Sequence, residues 1–194
     1  MISAQEIKDL RERTGAGISD VKRALEESGG DHAKAFAWLE HKLGSAAIKK
    51  ASRATGAGLV DSYIHSNGRV GAMVEVFCET DFVARNPTFR EFAHSIALHI
   101  AAMNPLYLTP DAVPDTIRRV EKDRFAEETA KLNKPDAIVA EIITGKLASH
   151  FGALSLMTQP FVKDQERTVG EFVNEAIGRF GENIKIGSFI RFEV

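Results

Sequence analysis

The spacing of apolar residues changes character several times along this chain. Ile7 and Leu10 share one helical face, and Ser3-Ala-Gln-Glu6 ahead of them has capping-box spacing. Thr14-Gly-Ala-Gly17 breaks that helix. Ser19 or Asp20 can cap a second helix bearing Val21, Ala24 and Leu25, and Gly29-Gly30 ends it. Asp31 caps a third, with Ala35, Trp38 and Leu39 at three- and four-residue spacing. Residues 1–43 therefore predict a bundle of three short helices. Residues 44–57 are rich in small side chains, with Lys49, Lys50 and Arg53 and no acid; they read as a linker with room for some helix.

From Leu59 the period becomes two. Val60, Ser62 and Ile64 alternate with Leu59, Asp61 and Tyr63, Asn67-Gly68 supplies a hairpin turn, and Val70 to Cys78 is the returning strand. Asn86-Pro87 opens a helix whose stripe is Phe89, Phe92, Ala93, Ile96, Ile100 and Met103. A loop, a charged helix over Ile117–Leu132, a break at Asn133-Lys-Pro135 and a short helix over Ala137–Leu147 follow. Leu154 to Pro160 is strand-like, and Thr168-Val-Gly-Glu171 opens a helix closed by Gly181. The last strand runs from Ile184 to Val194. Strict alternation puts Ile184, Ile186, Ile190, Phe192 and Val194 on one face and Phe189 on the other. Residues 58–194 thus predict an α+β core with an antiparallel sheet.

Composition narrows the function. A formal charge of −2, with 44% hydrophobic and 27% charged residues, fits a soluble globular protein and argues against one that coats nucleic acid. The single cysteine, Cys78, excludes an intramolecular disulfide and shares a strand face with Val74 and Val76, as a small buried residue does. No apolar run approaches the ~20 residues of a membrane span. The N-terminus enters a helix without a leader pattern, so the expected location is cytoplasmic. A Gly-x-x-x-x-Gly-Lys-Ser/Thr loop, a His-Glu-x-x-His helix and paired Cys-x-x-Cys are all absent. No direct nucleotide, cofactor or metal is expected, and an enzyme is disfavoured. The run Lys49, Lys50 and Arg53 lacks the interleaved aromatics of a single-strand reader, so no nucleic-acid partner is expected.

Thr80-Asp81-Phe82-Val83 falls on the connection between the second strand and the helix opened by Pro87. A large aromatic there is either a surface anchor for another protein or a side chain folded back into the core. The run Val74-Glu-Val-Phe-Cys-Glu-Thr-Asp-Phe-Val-Ala-Arg-Asn86 resembles the signature of the elongation factor Ts family. The resemblance extends to Leu-Arg-Glu-Arg-Thr-Gly-Ala-Gly17, Asp20-Val-Lys-Arg-Ala-Leu25, His99-Ile-Ala-Ala-Met-Asn-Pro105, Gln159-Pro-Phe-Val-Lys163 and Ile190-Arg-Phe-Glu193.

It implies a guanine-nucleotide exchange factor that binds elongation factor Tu carrying GDP and promotes GDP release. Phe82 would enter an apolar pocket on the partner's nucleotide-binding domain, with Asp81 as its polar neighbour between Thr80 and Val83. Arg13 and Val21 of the bundle would touch the same domain, and His99 matches an interface histidine. The bundle resembles a ubiquitin-associated-type module. A short form with one core unit implies a homodimer. The rival reading is a ribosome- or RNA-associated protein, or an adaptor carrying such a bundle.

Overall fold

A computed structural model describes residues 2–14, 16–130 and 134–194; the side chains at 11–13, 43, 46 and 48 are outside the described part. Two compact units result, one of residues 1–101 with 171–194 and one of residues 102–170.

The first unit begins with helices α1 (Ala4–Thr14), α2 (Ile18–Glu27) and α3 (His32–Lys50). The capping box forms: the Glu6 amide donates to Ser3 Oγ at 3.1 Å, and the Ser3 amide donates to Glu6 Oε2 at 2.6 Å. Asp31 caps α3 by accepting from the Ala33 and Lys34 amides. The Gly30 amide donates back to the Leu25 carbonyl at 2.8 Å, with Gly29 and Gly30 both at positive φ. The start of α2 differs from expectation. Its cap is Gly17, with no side-chain bond, rather than Ser19 or Asp20. Asp20 instead pairs with Lys42 across the bundle. The third helix also runs on to Lys50, into the stretch expected as linker. Leu10, Val21, Ala24, Leu25, Ala35 and Leu39 form the bundle core. Full burial of each of the larger of these is worth about 1.5–3 kcal/mol.

Strands β1 (Ala57–Ile64), β2 (Val70–Cys78) and β5 (Lys185–Glu193) form one antiparallel sheet in the order β1-β2-β5. Ala72, Val74, Val76 and Cys78 line its buried face. Helix α5 (Pro87–Met103) crosses that side, tied by His94 Nδ1 to Asp61 Oδ1 at 2.9 Å and by Arg191 Nε donating to the Ala101 carbonyl at 2.9 Å. Phe89 and Phe92 of α5 meet Phe180 and Phe172 of α8 (Val169–Phe180), with ring centroids 5.5 and 5.0 Å apart.

The last strand departs from simple alternation. Val74 pairs with Phe189, but Val76 pairs with Ile186, so β5 carries one extra residue in this interval. Ile184 and Ile186 are buried, whereas Ile190, Phe192 and Val194 are exposed, and Phe189 turns partly inward. The single apolar face expected for these residues is thus split between the two sides. Gly187 lies within the bulge, where a Cβ would stand 2.4 Å from Phe77 Cε2. Val60, Ile64, Met73, Phe77, Ile190 and Phe192 stand exposed on the outer face, which also carries Ser62 and Glu75.

In the second unit, α6 (Asp115–Ala130) and α7 (Asp136–Leu154) pack together, with Lys146 on Glu128 and His150 edge-on to Phe125. Helix α7 is longer than the Ala137–Leu147 segment expected. Its length and composition alone would suffice to cross a membrane, although Glu141 and Lys146 interrupt its apolar run. After it, the strand-like stretch to Pro160 is a 3-10 turn at Leu156–Thr158 and a small hairpin of β3 (Pro160–Phe161) and β4 (Asp164–Thr168).

Glu6 gives the bundle a pH signature. The Ser3 amide, then the Ser3 hydroxyl and His32, lower its pKa from 4.5 to about 2. A depressed folded value stabilises above the unfolded value, and that contribution is lost as pH falls from about 4.5 toward 2. Trp38 packs against the bundle core and reports on it. Trp38 fluorescence in an acid titration should show loosening over this window, and Glu6→Gln should flatten that part of the curve.

Candidate partner-binding site

The inward alternation of β2 ends at Cys78, and Glu79 and Thr80 leave the sheet. Thr80 is extended, at φ −131° and ψ 153°, and its Oγ1 accepts from the Val83 amide at 3.5 Å. That caps α4 (Asp81–Ala84), a single turn. Asn86 then accepts from the Thr88 amide with its side chain at 2.9 Å and from the Phe89 amide with its carbonyl at 3.0 Å, which starts α5. Successive residues on a helical turn point about 100° apart. Val83 and Ala84 face the core at 5% and 6% exposure, so the residues just before them face out. Phe82 is 83% exposed. The core alternative for Phe82 is therefore excluded.

An exposed phenyl ring forgoes about 1.5–3 kcal/mol of burial. The turn holds this conformation through polar bonds to its frame. Glu182 Oε2 accepts from the Glu79 and Thr80 amides, each at 3.0 Å, and Glu182 Oε1 accepts from the Thr80 hydroxyl at 2.6 Å. Glu79 Oε1 in turn accepts from the Asn183 amide at 2.6 Å. The Cys78 thiol donates to the Thr80 carbonyl at 3.3 Å. Beside Phe82, the Asp81 carboxylate lies 4.0 Å from Arg85, an exposed pair of small energetic weight.

Four of the expected site residues come together here. Thr80 caps, Asp81 and Phe82 project, and Val83 anchors from below. The others do not join them at the surface. Val21 and His99 are fully buried, in the bundle core and on α5 respectively. They pack rather than present a surface. The side chain of Arg13 lies outside the described residues, though its backbone belongs to α1. Sequence reasoning missed Glu79, Glu182 and Asn183. Glu182 acts across about a hundred residues of chain and sits just past a helix end, where no periodicity marks it. Among the described residues no cluster of three potential metal ligands exists. The hollow beside Phe82, lined by Asp81, Arg85, Asn86 and Pro87, is open and shallow.

What this geometry offers is a protruding aromatic on a braced turn, the layout of a protein that binds another macromolecule. Comparison with known proteins gives that class a family. The family model for "Elongation factor TS" matches residues 18–194. Elongation factor Ts from Solidesulfovibrio magneticus is 47% identical over 190 residues, covering 98% of this chain and 95% of the relative. The protein of that name from Rubrobacter xylanophilus is also 47% identical over 190 residues, covering 98% and 97%. That from Thermoanaerobacter sp. is 45% identical over 193 residues, covering 100% and 95%. The chain belongs to the elongation factor Ts family.

The Cys78 thiol tests how tightly the turn is closed. Burial, then the Glu182 carboxylate, pushes its pKa above 9.0, and its side chain has no accessible surface. A thiol titration at pH 8 should find it unreactive in the native protein and reactive once the chain is unfolded. Rapid native labelling would mean that the turn opens readily.

Proposed function

We propose that this chain is a guanine-nucleotide exchange factor of translation elongation, which binds elongation factor Tu carrying GDP and accelerates GDP release. One observation carries the reading: Phe82, in the motif that resembles the family signature, stands 83% exposed on a braced turn. The aromatic enters an apolar pocket on the partner's nucleotide-binding domain and Asp81 engages its polar rim. No bond in GDP is made or broken. A factor that binds the nucleotide-free partner more tightly must weaken nucleotide binding by the same ratio. A factor indifferent to the two states would shift nothing.

In this reading the N-terminal bundle, of ubiquitin-associated type, is a second docking element. Arg13 supplies a contact there, while Val21 and His99 contribute by holding their helices in shape. Residues 58–194 form the core that carries the wedge.

The functional unit is a homodimer. The outer sheet face supports this, since exposed apolar residues gathered on one face are costly in water and complement a second copy of themselves. Light scattering at tens of micromolar should give twice the mass of one chain. A monomer at that concentration overturns the dimer and leaves the exchange reading standing.

Fluorescent GDP release from elongation factor Tu tests the exchange reading. Truncating a buried interface aromatic costs about 2–4 kcal/mol, roughly thirty- to several-hundred-fold. Phe82→Ala should lower exchange by that order while melting temperature holds, because the ring is outside the core. Asp81→Ala should do less, its pair being solvated. Wild-type exchange by a folded Phe82→Ala protein would remove the wedge.

A further inference from the structure

A four-residue helix does not hold itself in place. Its one side-chain cap, from Thr80 to the Val83 amide, is long at 3.5 Å. What fixes that cap is Glu182, which belongs to a different part of the chain. It stands half-buried after Gly181 and ahead of β5. By accepting the Thr80 hydroxyl proton, Glu182 Oε1 leaves a Thr80 lone pair for the Val83 amide. Its other oxygen satisfies the Glu79 and Thr80 amides, donors that have just left the β2 ladder.

The connection is reciprocal. Glu79 returns a carboxylate to the Asn183 amide and lies 3.5 Å from Arg53 Nη1. Asn183, only 2% exposed, donates from Nδ2 to the carbonyls of Ala51 at 3.3 Å and Arg53 at 2.7 Å. The end of β2, the entry to β5 and the stretch after α3 are thereby tied into one polar knot at the start of the turn that carries Phe82.

We propose that Glu182 is a positioning residue: its carboxylate sets the direction in which Phe82 leaves the surface, without itself touching the partner. The proposal rests on the reading of Phe82 as the residue that engages elongation factor Tu. Without the carboxylate the Glu79 and Thr80 amides lose their acceptor, the Thr80 cap loosens, and Phe82 samples many directions. Only a fraction of molecules then presents the ring correctly. Apparent affinity falls by that fraction, while the rate from the assembled complex does not.

The test uses the full chain with Glu182→Ala and Glu182→Gln. The glutamine keeps an amide oxygen for the two backbone donors and a group facing Thr80. By NMR hydrogen exchange, Glu182→Ala should speed the Glu79, Thr80 and Val83 amides by about ten-fold or more, as amides released from a hydrogen bond do, with the β1–β2 ladder unchanged. Glu182→Gln should restore most of that protection. In GDP release, Glu182→Ala should raise the half-saturating concentration about ten-fold at an unchanged maximal rate. In a Phe82→Ala background it should add nothing, since no ring remains to be aimed.

Unchanged protection at these amides overturns the proposal. So does faster amide exchange with unaltered GDP release, or an equal further loss in the Phe82→Ala background. Wild-type release by Phe82→Ala alone strikes instead at the wedge reading and with it at any role in aiming the ring. That outcome is distinct, because the amides would still respond to Glu182→Ala.

Discussion

Strand β2 is the middle strand of its sheet, and the sheet and the turn that follows it depend on that placement. It is hydrogen-bonded on one edge to β1 and on the other to β5. A slip of one residue would send Ala72, Val74, Val76 and Cys78 to the outer face and Met73, Glu75 and Phe77 into the core. Register is therefore held from two sides, and so is the point where the chain leaves the sheet. The position of Thr80 and the start of the α4 turn follow from that exit point. The ladder sets where the turn begins, and the bonds from Glu182 brace the residues just beyond it.

The molecule pairs satisfied polar groups with unsatisfied apolar ones. Ahead of Phe82 in the chain, the carboxylates of Glu79 and Glu182 take backbone amides of the opposite segment. The ring itself has no cover. The outer sheet face repeats the contrast, with a three-stranded backbone ladder under exposed Ile64, Met73, Ile190 and Phe192. Polar bonds hold the geometry, and the uncovered apolar surface is what remains for association.

Much of this architecture was legible locally. The capping box at Ser3 and Glu6, the Asp31 cap, the Gly29-Gly30 stop and the turn around Gly68 all formed where the residues indicated. Each is settled by groups within about five residues of one another, so composition and spacing suffice. The same limit explains the misses. Asp20 has the chemistry of a cap, but Lys42 lies across the bundle and takes its carboxylate. The helix begins from Gly17, without a side-chain cap.

By itself the sequence determined the α+β class, the order of elements, the connection on which Thr80 to Val83 sit and, through their resemblance, the family. Tertiary structure decided where the side chains of that plan point. Phe82 reads equally well as core or as surface until the burial of Val83 and Ala84 assigns the faces of the turn. The alternation of β5 reads as unbroken until its register against β2 shows an extra residue, beside a Phe77 ring that leaves no room for a Cβ at Gly187. Glu182 looks like any acid after a helix until folding brings it to amides about a hundred residues earlier. Periodicity records which residues share a face within one element. It contains nothing about which elements meet, because that depends on distances that only the folded chain creates.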